Sequence, residues 1–187
     1  MIHLVIGGAR SGKSAYAESL AAKYHQTKGY ECHYVATASA LDDEMASRIS
    51  RHQQDRKESA LNWITHESPL ELAETLKKIA APNRIILVDC LTLWLTNELL
   101  REGLLNDNSF PDRTITQLNQ QKSTLINTLN QLCGIIILVS NEVGFGIVPI
   151  GKMNRQFIDE AGWLNQSIAS ASDKVTLTVA GLPLHLK

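Results

Sequence analysis

Gly7-Gly8-Ala9-Arg10-Ser11-Gly12-Lys13-Ser14 is the stretch that most narrows what this chain can become. It follows an apolar run at residues 3–8. It precedes a segment, 14–28, in which Tyr16, Leu20 and Tyr24 recur at helical spacing before Gly29. Gly7-x4-Gly12-Lys13-Ser14 between a strand and a helix is the Walker A pattern, in the context that separates it from an ordinary glycine-rich turn. Glycines let consecutive backbone N–H groups turn toward an anion, and the helix N-terminus behind them adds a favourable field. Lys13 is expected to neutralise the β and γ phosphates of a nucleotide, and Ser14 to offer an oxygen to Mg2+. What becomes of the phosphates is a separate question, because switches, motors and kinases all use such a loop.

The rest of the chain alternates strands and helices. Apolar runs at 32–38, 84–90, 134–140 and 174–181 read as further strands, with a short one at 63–67 and another at 184–186. Helices are expected at 42–56, 69–80, 91–101, 115–132 and 154–172, and a loop at 102–113, where Gly, Pro, Asn and Asp gather. Nearly continuous apolar strands argue for a mostly parallel sheet with helices on both faces. With no repeat or linker, residues 1–187 are expected to form a single α/β domain.

Charge and cysteine usage exclude several classes. Eighteen basic against nineteen acidic residues leave a net charge of −1, so no electrostatic footprint for nucleic acid is present. Apolar runs are too short for a membrane span, and the chain enters its first strand without a charged leader, which predicts a cytoplasmic protein. Cys32, Cys90 and Cys133 lack zinc-type spacing and are expected as buried thiols in a reducing compartment.

A Walker B partner should be an acid at the end of a later apolar strand, and Asp89 in Ile86-Leu87-Val88-Asp89 meets that requirement as a second oxygen for the metal. A strand-end Asp also suits the cap of the following helix, and the two roles are compatible. The 42–56 helix is less ordinary. On a helical wheel Leu41, Met45 and Ile49 share a face that continues through Arg48, His52 and Arg56. A buried face that turns basic must meet a partner or line a cavity; with an anionic ligand as that partner, His52 is placed to attack an α-phosphorus while Arg48 or Arg56 steadies the charge. Emergence of the helix into solvent, with His52 on the surface, explains the same pattern.

Other positions are weaker. Asp42, Asp43 and Glu44 suit a helix N-terminus rather than a metal cluster. Glu67 by itself is any surface acid, and His66 beside it is expected at the surface. Asn141 and Glu142 follow a strand at the ligand-binding edge of such sheets, and a pocket wall and a structural turn explain them equally well. Trp94 reads as core.

Taken in order, these residues resemble the bifunctional adenosylcobinamide kinase / adenosylcobinamide-phosphate guanylyltransferase family. The resemblance runs nearly end to end. It is carried by GGARSGKS, by YVATA followed by LDDEMASRI and a histidine three residues on, and by Trp-x-Thr-x-Glu at Trp63–Glu67. CLTLWLTN, SNEVGFGIVP and the C-terminal RQFIDEAGWLNQSIASASDKVTLTVAGLP complete the set. It implies a RecA-like P-loop NTPase fold, a homotrimer and two reactions. A triphosphate, ATP or GTP, phosphorylates the aminopropanol hydroxyl of adenosylcobinamide; GTP then transfers GMP through a guanylyl-histidine, giving adenosylcobinamide-GDP. The family histidine falls on His52, and its nucleotide contacts on Gly7–Ser14, Ala36, Thr37, Ala38, Gln53, Gln54, Asp55, Arg56, Glu67 and Asp89. Composition and periodicity by themselves leave two rivals standing: a P-loop small-molecule kinase without guanylyl transfer, and a nucleotide-dependent regulatory switch.

Overall fold

In a computed structural model, residues 1–39, 43, 47, 50, 54, 61–101 and 109–187 are described. Seven strands form one sheet: β1 (Ile2–Gly7), β2 (Glu31–Ala36), β3 (Ile64–Glu67), β4 (Arg84–Asp89), β5 (Ile135–Asn141), β6 (Lys174–Val179) and β7 (Leu182–His185). Their order is β3-β2-β4-β5-β1-β6-β7. All pairs are parallel except β6 with β7, which are antiparallel. The expected mostly parallel sheet is therefore present. One strand, β5, lies between the strand that leads into the glycine loop and the strand that ends in Asp89, the RecA-like arrangement.

Period-two alternation explains how so apolar a sheet is covered twice. Leu4, Ile86, Val88, Ile136 and Leu138 point to one core, while Val5, Ile85, Leu87, Ile137 and Val139 point to the other. Helix α1 (Lys13–Lys28) closes the second core with Ala17 and Ala21, whose small side chains let its backbone lie near the strands. The first core is closed by α2 (Leu72–Ile79), α3 (Leu91–Leu100), α4 (Asp112–Leu129) and α5 (Lys152–Ala171). Trp94 is buried there, as expected, and its indole N–H donates to the Leu70 carbonyl at 2.9 Å.

Several boundaries differ from the sequence reading for local reasons. The helix expected from 69 begins at Leu72, because the chain first crosses the sheet edge: Ser68 N–H donates to the Ala36 carbonyl at 2.8 Å. The strand expected to reach 181 stops at Val179. Ala180 and Gly181, at φ 51° and 81°, turn the chain back into β7, which starts at Leu182 rather than 184. Cys32 and Cys90 are buried, but Cys133 is exposed, contrary to expectation. Strand β5 begins only at Ile135, which leaves Cys133 in the turn before it.

Candidate active site

Parallel strands deliver their C-terminal ends to one edge of the sheet, and the site residues carried by β1, β2, β3 and β4 gather there. Ala36 is in register with both Glu67 on β3 and Asp89 on β4. Asp89 is level with Val139 and hence with Val5, so Gly7 stands two residues beyond it toward the loop. Two strand spacings, about 10 Å, separate Asp89 from Gly7, and four, about 19 Å, separate Glu67 from it. The edge is thus long enough to carry phosphates at the loop and the far end of a nucleotide toward Glu67.

The loop has the shape its glycines permit. Gly12, at φ 90°, is the N-cap of α1, a left-handed conformation that side chains resist. A Cβ on Gly7 would stand 2.4 Å from Ser11 Oγ and 2.6 Å from the Thr178 carbonyl, so no other residue fits. Lys13 Nζ lies on the Gly8 carbonyl at 3.1 Å. No acidic residue sits in the first turn of α1, which leaves the positive end of its dipole to an anion. Ser11 Oγ is buried and has no hydrogen-bond partner among the described residues.

Asp89 is held from two sides. The Tyr34 hydroxyl donates to its Oδ2 at 3.1 Å, and Thr37 N–H donates to its carbonyl at 3.3 Å. It does not cap α3, whose N-cap is Cys90 with no side-chain bond. Burial, with the nearby Asp89 charge, pushes the Cys90 thiol up to about 12, so it is an inert packing group. Thr37, which the resemblance counts among nucleotide contacts, is fully buried, and its hydroxyl is committed to both backbone groups of Cys90. Its side chain braces the edge instead of facing it.

Glu67 is exposed at the end of β3. His66 is half-buried, not a surface residue as expected, because its ring stacks on His33 at 5.2 Å between centroids and the two rings share a 2.9 Å hydrogen bond. Burial, then His33 and Arg84, holds His66 below the ordinary histidine range. Asn141 ends β5 and Glu142 follows it: Asn141 N–H donates to Thr92 Oγ1, Glu142 N–H to the Gly7 carbonyl, and Glu142 Oε1 accepts Gly144 N–H.

Of the second expected group, Gln54 is helical and exposed, as are Asp43, Ser47 and Ser50. His52, Gln53, Asp55, Arg56, Arg48, Asp42 and Glu44 lie outside the described residues. Sequence reasoning missed the braces. Tyr34, Thr92 and Asn97, whose amide donates to the carbonyls of Thr37 and Pro69 at 2.7 and 2.9 Å, all steady the edge. Thr92 and Asn97 belong to the CLTLWLTN stretch, the one signal that pointed to them.

A Walker loop, a strand-end acid two strands away and a mostly parallel, doubly covered sheet define a P-loop nucleotide-binding α/β protein. The model of the cobinamide kinase / cobinamide phosphate guanyltransferase family matches residues 3–186, and the chain belongs to that family of transferases. It is similar to the bifunctional adenosylcobalamin biosynthesis protein CobP of Pseudomonas aeruginosa, 49% identical over all of this chain and 98% of that one. It is also similar to the bifunctional adenosylcobalamin biosynthesis proteins CobU of Escherichia coli (39%) and Salmonella typhimurium (38%), each over the full length of both chains. Among solved structures, the flagellar accessory protein FlaH of Methanocaldococcus jannaschii aligns with a TM-score of 0.48 at 16% identity, over 100% of this chain and 77% of that one. A KaiC-like protein of Pyrococcus horikoshii aligns at 0.47 and 12%, over 94% and 69%. No helix among the described residues is long and apolar enough to cross a membrane.

Proposed function

We propose that this chain, as one catalytic domain acting in the cytoplasm on small molecules of cobalamin biosynthesis, runs both family reactions at the edge formed by Gly7–Ser14, Asp89 and Glu67. The observation that carries this reading is the parallel register that sets loop, acid and Glu67 along one edge. In the first reaction the aminopropanol oxygen of adenosylcobinamide attacks the γ-phosphorus of ATP or GTP. The bond to the bridging oxygen breaks, the nucleoside diphosphate leaves and the hydroxyl proton is released. In the second, a His52 ring nitrogen attacks the α-phosphorus of GTP and pyrophosphate leaves. A phosphate oxygen of adenosylcobinamide phosphate then displaces His52, giving adenosylcobinamide-GDP.

Lys13 and the loop amides hold the phosphates, removing the repulsion that keeps anionic phosphorus from nucleophiles in water. P-loop folds generally use Mg2+, and the donors fit it. Ser14 and Asp89 offer hard oxygens, and Asp89 forms no ion pair among the described residues. When bound, the ion would offset charge on the phosphate oxygens.

Support for His52 comes from the described positions of its segment. Asp43, Ser47, Ser50 and Gln54 are exposed and lie on one helical face, opposite the face on which the sequence wheel sets His52. A homotrimer is supported by exposed Phe145, Ile147, Val148 and Ile150 in the loop after β5, apolar surface that suits a subunit contact. The deciding experiment incubates the protein with Mg2+ and GTP labelled at the α- or γ-phosphate, then denatures it. Acid-labile, base-stable α-label that His52→Ala loses supports the guanylyl-histidine. Cobinamide phosphorylation without α-label leaves the kinase alone.

A further inference from the structure

The two ends of the chain meet at the phosphate loop. Gly181 N–H, in the turn between β6 and β7, donates to the Ser11 carbonyl at 2.9 Å. A Cβ on Gly12 would lie 3.0 Å from Gly181 Cα, so the two backbones touch at a pair of glycines. Thr178, in register with Gly7, presses its carbonyl to within 2.6 Å of where a Gly7 Cβ would stand. Thus the loop is walled from behind by residues some 170 positions away, none of which carries a charged group.

We infer that the Ala180–Gly181 turn is a positioning element for the phosphate loop, acting through the Ser11 carbonyl. This rests on the reading that the loop holds a nucleoside triphosphate. The peptide joining Ser11 to Gly12 is trans. In a planar trans peptide, C=O and N–H point to opposite sides. Anchoring the Ser11 carbonyl on the hairpin therefore sends the Gly12 N–H away from it, toward the concave side of the loop where an anion is bound. Both turn residues stand at positive φ, 51° for Ala180 and 81° for Gly181, and only that tight two-residue reversal brings the Gly181 N–H back to Ser11. Gly181 is a positioning residue and touches no substrate.

Coupling between two sites is reciprocal, so a turn that sets the loop must itself be steadied when the loop is filled. The test is hydrogen exchange on the intact protein with and without Mg2+ and the β,γ-imido analogue of GTP. Exchange at Gly181 should slow by at least about threefold on binding, alongside protection of residues 7–14. Protection of the loop with no change at Gly181 would overturn the inference. Absence of protection in the loop itself would instead sink the nucleotide-binding reading on which it rests. A second arm uses Gly181→Val, which resists positive φ, and Gly181→Asn, which tolerates it. The valine variant should weaken analogue binding about tenfold, and the asparagine variant should restore it to within about twofold. Equal affinities in both variants would overturn the inference as well.

Discussion

Thr37 Oγ1 and Cys90 exchange two hydrogen bonds: the hydroxyl donates to the Cys90 carbonyl at 2.7 Å and accepts from the Cys90 N–H at 2.8 Å. The pair ties the end of β2 to the start of α3, directly beside Asp89. Thr37→Val keeps the shape and removes both bonds, leaving the buried Cys90 N–H unpaired, while the Cys90 carbonyl keeps the Trp94 N–H at 3.2 Å. Stability should fall by about 1–3 kcal/mol, read as a lower urea midpoint with an unchanged slope. Triphosphate affinity should weaken in the same variant, because the bonds that position Asp89 loosen.

Neighbouring glycines of the loop should respond differently to the same methyl group. Gly7→Ala places a Cβ against Ser11 Oγ and the Thr178 carbonyl, whereas a Cβ at Gly8 meets nothing within 4 Å. Shifting the loop by the distance that relieves the Gly7 contacts should cost about a hundredfold in kcat/KM for the triphosphate. Gly8→Ala should melt near the wild-type temperature and retain far more activity. Equal losses in both variants would contradict the steric account.

Acid should weaken the fold through His3. Burial, then Lys174 and His185, lowers its pKa from 6.5 to about 4, and its Nε2 shares a 2.8 Å bond with Thr176 Oγ1. Between those values the unfolded chain holds a proton that the folded one lacks. The contribution is therefore whole above pH 6.5 and is lost as pH falls toward 4, by up to about 1.4 kcal/mol per pH unit. His66, also lowered, acts in the same sense. Urea midpoints at pH 7.5, 6 and 5 should decline less steeply for His3→Gln than for wild type.

Thiol labelling should distinguish the three cysteines. Cys133 is exposed, while Cys32 and Cys90 are buried with thiol pKa values raised by that burial. Under native conditions at pH 8, an iodoacetamide reagent should modify Cys133 first, and the other two only on denaturation.

The glycine loop was legible because it depends on local backbone shape, which Gly7, Gly12 and the following helix encode within eight positions. Asp89 was legible for a similar reason: an acid ending an apolar strand is a one-dimensional pattern. Nearly continuous apolar runs likewise announced a doubly covered sheet. The strand order that brings Gly7, Asp89 and Glu67 to one edge is different in kind, since it depends on pairings between residues scores of positions apart. Thr37 became a brace because its hydroxyl meets Cys90, and His66 left the surface because β3 pairs with β2 beside His33. Gly181 read only as the end of a strand until folding turned the chain there and laid its N–H on Ser11. Local conformation is written in near neighbours along the chain; which side chain satisfies which buried polar group is decided when the sheet closes.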